Sequence, residues 1–397
     1  MDIKFSKRVA KVKKSFIREI FKVLDQPDMI SLAGGFPNPL SFPTEAIEAA
    51  AIKVLRSDGT RALQYAGTEG FVPLRRYISE RYKKRFGLDV PIEQILITNG
   101  SQQALDLIGR ILIDEGDDVL VECPSYLGAL QSLTFYQPKF HEVQLNEDGV
   151  DVTMLEELLN NHPVKLFYTV PNFQNPTGLT YTKENRVEVA RLIEKYDSLL
   201  VEDDPYSELR FYGEEELPIK SYLGDRGILL GSFSKIVSPG MRLGWVVACP
   251  EIMDKLITAK QATDLHTNIF AQRVVHQFLV DNDLDEHIAK IKAMYRSQRD
   301  TMVASIERHF PKSVTVTKPY GGMFMWVTLP EGISTMKLVE TAIASNVIFV
   351  PGDPFYVDRM DANTMRINYT NSNEAEIEEA IHRLGVVIRN AIEKQSH

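Results

Sequence analysis

Apolar positions along the middle of the chain fall into short unbroken runs rather than alternating ones. Such runs lie at residues 95–98, 118–122, 165–170, 199–203, 228–231 and 243–249. A strand that is apolar at every position is a strand buried on both faces. Longer stretches with helical periodicity separate these runs, and strand–helix–strand alternation predicts a mainly parallel α/β sheet covered by helices. After about residue 290 the pattern changes. A charged helical stretch over 286–309 leads to candidate strands at 314–317 and 324–328, a helix, and further strands at 347–350 and 364–369. This predicts a second, smaller α+β domain. The first ~45 residues, with Gly34-Gly35 and several prolines, read as a helix and an arm. The expected organisation is an N-terminal arm over 1–45 packed with the small domain, a large domain over 46–290 and a small domain over 291–397.

In an open α/β sheet, ligands bind beyond the carboxyl ends of the strands. The polar motifs of this chain gather at those ends. Asn99-Gly100-Ser101-Gln102 follows one strand and opens a helix. Pro171 to Gly178 follows another, Asp203-Asp204-Pro205-Tyr206 a third, and Ser232 to Lys235 a fourth.

Composition narrows the function class. The chain has 397 residues, 44% hydrophobic and 25% charged, enough for a sizeable core and a buried site. A net charge of −9 gives no long-range help to binding a polyanion, so no nucleic acid is expected as partner. Two cysteines exclude a disulfide framework and fit a reducing compartment. The N-terminus is basic but carries no apolar run, and no stretch is long enough for a membrane helix, so a cytoplasmic protein is expected. The eight histidines are scattered without a metal-binding spacing, and neither a P-loop nor a GxGxxG turn is present, so no metal or nucleotide is expected.

Lys235 lies in Gly231-Ser-Phe-Ser-Lys-Ile-Val-Ser-Pro-Gly-Met-Arg-Leu-Gly-Trp245, at the end of an apolar strand. Desolvation and a nearby cation lower an amine's pKa and free it to attack a carbonyl. Ser232, Ser234 and Arg242 in the same segment can bind a phosphate, and so can the backbone N–H groups of Gly100, Ser101 and Gln102 at a helix N-terminus. Asp203 can pair with a protonated pyridine nitrogen and keep the ring an electron sink. Tyr206 and Asn175 can reach the ring's phenolic oxygen, and Tyr126 can stack on the ring. Arg366 can grip a carboxylate with two parallel hydrogen bonds. Each has a plainer reading taken singly: a loop lysine, an Asp beginning a turn, an Asn-Pro-Thr-Gly turn, a serine cap, a packed tyrosine, a surface arginine.

Together these motifs resemble the fold-type-I pyridoxal-phosphate-dependent aminotransferases over nearly the whole chain. The segments Ser31-Leu-Ala-Gly-Gly-Phe-Pro-Asn-Pro39, Leu63-Gln-Tyr65 and Gly321-Gly-Met-Phe-Met-Trp326 are similar to those of the group containing 2-aminoadipate, kynurenine and aromatic aminotransferases. The resemblance implies a seven-stranded, mainly parallel sheet in the large domain and pyridoxal 5'-phosphate as cofactor. It implies Lys235 as the Schiff-base lysine that also moves the proton, and Asp203 on the pyridine nitrogen. Asn175 and Tyr206 would meet the ring oxygen, Tyr126 the ring face, and Gly100, Ser101, Gln102, Ser232, Ser234 and Arg242 the phosphate. Tyr65 would reach the phosphate from a neighbouring subunit, which implies a homodimer. Arg366 would clamp the substrate carboxylate, with Gly35 and Asn175 nearby, and Arg18 would meet the substrate side chain. The implied reaction moves an amino group from an amino acid to a 2-oxo acid such as 2-oxoglutarate, by a ping-pong course. The alternatives on the same fold are a lyase or decarboxylase, and a non-catalytic sensor.

Overall fold

The structure, a computed structural model, describes residues 3–10 and 28–395. Fourteen strands among them sort into three sheets. They are β1 (Ile30–Ser31), β2 (Ile95–Thr98), β3 (Asp118–Cys123), β4 (Lys139–Asn146), β5 (Gly149–Val150), β6 (Val164–Thr169), β7 (Leu199–Asp204), β8 (Gly227–Ser232), β9 (Gly244–Val247), β10 (Thr315–Val316), β11 (Phe324–Thr328), β12 (Val347–Ile348), β13 (Val350–Pro351) and β14 (Thr364–Asn368).

The large sheet has the order β2-β9-β8-β7-β6-β3-β4-β5. The ladders from β4 through β3, β6 and β7 to β8 are parallel, and β9 runs antiparallel between β8 and β2. The six continuous apolar runs read from the sequence all fall on strands of this sheet, and β2, β8 and β9 are buried at every position. The expected number of seven strands is corrected to eight. The extra strand is the two-residue β5, which folds back antiparallel on β4 after a turn at Glu147-Asp148. The strand β4 itself gives no apolar run. Only two of its eight residues are buried this near the sheet edge, and its sequence, KFHEVQLN, is mixed accordingly.

A separate four-stranded antiparallel sheet has the order β10-β11-β14-β13. The stretch 347–350 is divided rather than one strand: β12 pairs in parallel with β1 from the arm, while β13 pairs with β14. The long helix Leu284–His309 and the final helix Glu374–Gln395 pack on each other beside this sheet. No helix among the described residues is long and apolar enough to cross a membrane.

Candidate active site

The polar motifs meet where β7 and β8 end and β14 of the smaller sheet brings in Arg366. Lys235 lies in the connection between β8 and β9. Its Nζ donates to the carbonyl of Gly35, 2.9 Å away and 200 residues earlier. A Cβ built on Gly35 would stand 3.8 Å from Nη2 of Arg366, so this one glycine lies between the lysine and the arginine. Burial lowers the Lys235 amine to about 8, and the Arg366 and Arg242 cations push the same way.

Arg366, on β14, is buried to 2% exposure. Its Nη1 donates to Asn175 Oδ1 at 2.8 Å and its Nη2 to the Ala33 carbonyl at 2.9 Å. The guanidinium rests over the Phe324 ring, 4.3 Å from the centroid, and buried Nε has no partner. Two of five N–H donors are thus engaged within the chain, which leaves capacity for an anion. Burial lowers this arginine to about 10, so it stays a cation at neutral pH.

Asn175 Nδ2 lies 3.5 Å from the Tyr206 hydroxyl, and the Tyr206 ring meets Phe324 edge-on. Asp203, on β7, is 2% exposed. Its Oδ2 accepts from Tyr168 Oη at 3.0 Å, while its Oδ1 is buried with no partner. Burial pushes this carboxyl up to about 7, against the pull of the Tyr168 hydroxyl. Tyr126 caps the helix Leu127–Thr134, and its ring lies where a Cβ on Gly128 would come within about 2.5 Å. Burial, and after it the Asp203 carboxylate, pushes the Tyr126 phenol up to about 12.

The helix Ser101–Leu112 begins without a side-chain cap. The N–H groups of its first turn have no intrahelical partner and form an anion site with the helix dipole. Gly100 takes φ +74°, and a Cβ there would sit 2.6 Å from Arg242 Nη2. The glycine therefore serves both the backbone conformation and the approach of the arginine. Arg242 Nη2 also donates to the Asn99 carbonyl at 3.2 Å. The Ser101 hydroxyl is buried without a partner, and Ser232 Oγ accepts from the Ser234 amide at 3.1 Å. Gln102 spends its side chain on the Gly128 carbonyl at 2.8 Å, leaving only its backbone to face an anion.

Pyridoxal phosphate fits this donor set. The cradle at Gly100, Ser101 and Arg242 suits a phosphate, the orphaned Asp203 Oδ1 suits a pyridinium, and the lowered Lys235 amine suits a carbonyl. Tyr65 stands outside this group within one chain. It is 79% exposed, with its ring edge-on to His266. Arg18 lies outside the described residues.

Sequence reasoning missed the residues that hold the site together. Tyr168 is hidden within an apolar strand, and its only signal is that a buried phenol needs a hydrogen-bond partner. Glu122 is fully buried at the end of β3. It accepts from Thr169 Oγ1, Tyr181 Oη, Gln174 Nε2 and the Val170 amide. Gln174 also donates to the Pro124 carbonyl at 2.8 Å, which ties the loop of Asn175 to the loop that carries Tyr126.

The chain matches the family model "Aminotransferase class I and II" over residues 27–384. It is 44% identical to the aromatic-amino-acid aminotransferase 1 of Thermococcus litoralis, over 98% of this chain and 95% of that protein. Among solved structures, the kynurenine aminotransferase of Pyrococcus horikoshii, in complex with PMP, superposes with a TM-score of 0.93 at 44% identity, covering 97% of each chain. The α-aminoadipate aminotransferase of Thermus thermophilus, complexed with N-(5'-phosphopyridoxyl)-L-leucine, gives 0.91 at 39% identity over 98% of each. With this site on this fold, the chain belongs to the class I and II aminotransferases, as a fold-type-I pyridoxal-phosphate-dependent enzyme of the group acting on aromatic amino acids, kynurenine and 2-aminoadipate.

Proposed function

We propose that the chain moves the amino group of an aromatic amino acid, 2-aminoadipate or a broader set of donors to a 2-oxo acid such as 2-oxoglutarate, the first product leaving before the second substrate binds. The observation that carries this reading is that Lys235 and Arg366 both meet Gly35, the amine on its carbonyl at 2.9 Å and the carboxylate-binding cation 3.8 Å from where its Cβ would stand. When bound, pyridoxal phosphate supplies a carbonyl for amine capture and a ring that delocalises the electron pair left by loss of the α-proton.

This chain's residues supply the rest. Arg366 fixes the substrate carboxylate with the donors not committed to Asn175 and Ala33, and so orients the α-carbon toward Lys235. Lys235, lowered to about 8, takes the α-proton as its free amine and returns it as the ammonium. Asp203 keeps a negative charge in a dry site opposite the ring nitrogen, and Tyr168 holds that carboxylate in place. Asn175 and Tyr206 donate to the ring oxygen, and Tyr126 covers the ring face. The Ser101 and Gln102 amides at the helix that Gly100 opens, with Ser232, Ser234 and Arg242, hold the phosphate. Tyr65, exposed on one subunit, reaches the phosphate of a second copy in a homodimer.

The test adds a panel of amino acids, with no oxo acid, to the purified holoenzyme and follows its visible cofactor band. Conversion of the band by aromatic donors or 2-aminoadipate, with one equivalent of 2-oxo acid released, is the expected result. Release of ammonia or carbon dioxide instead would replace transamination by a lyase or decarboxylase reaction. A band that no donor changes would refute the reading.

Replacing Arg366 by alanine removes two charge-assisted hydrogen bonds to the substrate carboxylate, each worth about 1.5–3 kcal/mol. The expected fall in kcat/KM is roughly 10²–10⁴-fold, carried mainly by KM, with the cofactor band intact. Arg366→Lys should recover little of it, because a point charge lacks the planar fork. A change of less than tenfold in kcat/KM would remove Arg366 from substrate binding.

A further inference from the structure

At the amino ends of β3 and β4, the far end of the sheet from Lys235, three metal-ligand side chains converge from three elements. Asp118 opens β3, His141 is the third residue of β4, and His162 caps the carboxyl end of the helix Val152–Asn161. The parallel register pairs Asp118 with Lys139 and Leu120 with His141, which puts Asp118 and His141 on one face. Leu155 and Leu159 of the helix pack with Leu120, Val143 and Leu145, so the helix covers that same face and brings His162 against His141. The two imidazoles stack with centroids 4.0 Å apart, and His141 Nε2 lies 2.7 Å from Asp118 Oδ1. One ligand atom from each of the three lies within 4.8 Å of the others, and all three residues are half-buried.

We propose that Asp118, His141 and His162 form a binding site for a divalent transition-metal ion of the zinc class, separate from the cofactor site. Two imidazoles and a carboxylate are an ordinary zinc donor set, whereas calcium and magnesium prefer all-oxygen sites. Bonds of ~2.0–2.1 Å in tetrahedral geometry place donor atoms ~3.3 Å apart. The Asp118–His141 pair has to open slightly and the wider pairs to close by no more than ~1.5 Å, which side-chain rotation covers. Three protein donors leave the fourth position to water. The carboxyl end of the helix adds the negative end of its dipole. The charged neighbours are balanced. Lys139 flanks Asp118 on the same face, while Lys165 pairs with Asp117 at 2.7 Å and approaches Asp114 at 4.0 Å.

The ion ties two strands and a helix together, so it stabilises the folded state in proportion to its affinity. β3 runs six residues from this site to the loop that carries Tyr126, roughly 20 Å of extended chain, so turnover should be insensitive to the metal. The test is calorimetric titration of tag-free, chelator-dialysed holoenzyme with zinc chloride, together with the thermal midpoint and the absorption of the cobalt(II) form. The expected result is one saturable ion per chain, a raised Tm with zinc and a tetrahedral cobalt band. His141→Ala or His162→Gln should weaken binding by at least about tenfold, and the double variant His141→Ala/His162→Ala should abolish it. Retention of the cofactor band and of kcat establishes that these variants fold. No saturable binding up to about 1 mM zinc would overturn the proposal, and so would binding to the folded double variant at wild-type affinity.

Discussion

Replacing Lys235 by alanine is expected to remove the visible cofactor band and to lower turnover by at least about 10⁴-fold, because covalent capture and proton transfer both lose their amine. The lysine is poised by its surroundings. Burial, then the Arg366 and Arg242 cations, brings it down to about 8, and the Gly35 carbonyl holds Nζ in place. The sign of the pH dependence follows. An amine is nucleophilic only without its extra proton, so capture of free pyridoxal phosphate by the stripped enzyme should speed up as pH rises through about 8 and level off above it. An unperturbed lysine would keep accelerating to about 10.4. Stopped-flow absorbance of the stripped enzyme measures that midpoint, and steady-state assays measure the loss in Lys235→Ala. Turnover of the variant within tenfold of the parent would take Lys235 out of the chemistry.

Asp203→Asn is expected to bind cofactor near normally and to turn over about 10²–10³-fold more slowly, a loss of about 2.7–4 kcal/mol of transition-state stabilisation. Asparagine keeps the volume and can still accept from the Tyr168 hydroxyl, so the fold is spared and only the charge is lost. Burial holds the Asp203 carboxyl up near 7. A cation on the ring nitrogen favours the ionised form, so ring protonation and carboxylate ionisation support each other. Rapid-mixing measurement of the first half-reaction separates this from a binding defect. The single-turnover rate should fall while the midpoint of cofactor saturation moves little. An unchanged single-turnover rate would show that Asp203 does not serve the ring nitrogen.

Much of this architecture is written locally. Buried parallel strands must be apolar on both faces, so β2, β3, β6, β7, β8 and β9 stand out as unbroken runs, and the polar residues at their ends mark the ligand face. Lys235, Asp203 and Asn175 could be singled out because they stand at the ends of such runs, whereas Arg366 stands out only through the family resemblance. The strand β4 could not be read in the same way, since it lies next to the sheet edge, beside only the two-residue β5, and carries polar residues at its exposed positions. The pair β12 and β13 could not be separated either, because partner choice is decided by the surrounding strands rather than by residues 347–351.

Contacts between distant segments belong to the tertiary structure alone. Gly35 meets Lys235 across 200 residues, and Tyr168 is a phenol in a strand until β7 brings Asp203 alongside it. Glu122 is one acidic residue until four donors surround it. The scattered histidines gave no metal spacing, yet strand register and one covering helix set His141 and His162 ring against ring beside Asp118. Periodicity and strand-end chemistry are properties of neighbouring residues, so the sequence by itself determined the fold class and marked the candidate groups. Burial, lowered and raised pKa values, and the assembly of those groups into a site depend on what packs against them from elsewhere, and only the fold decided that.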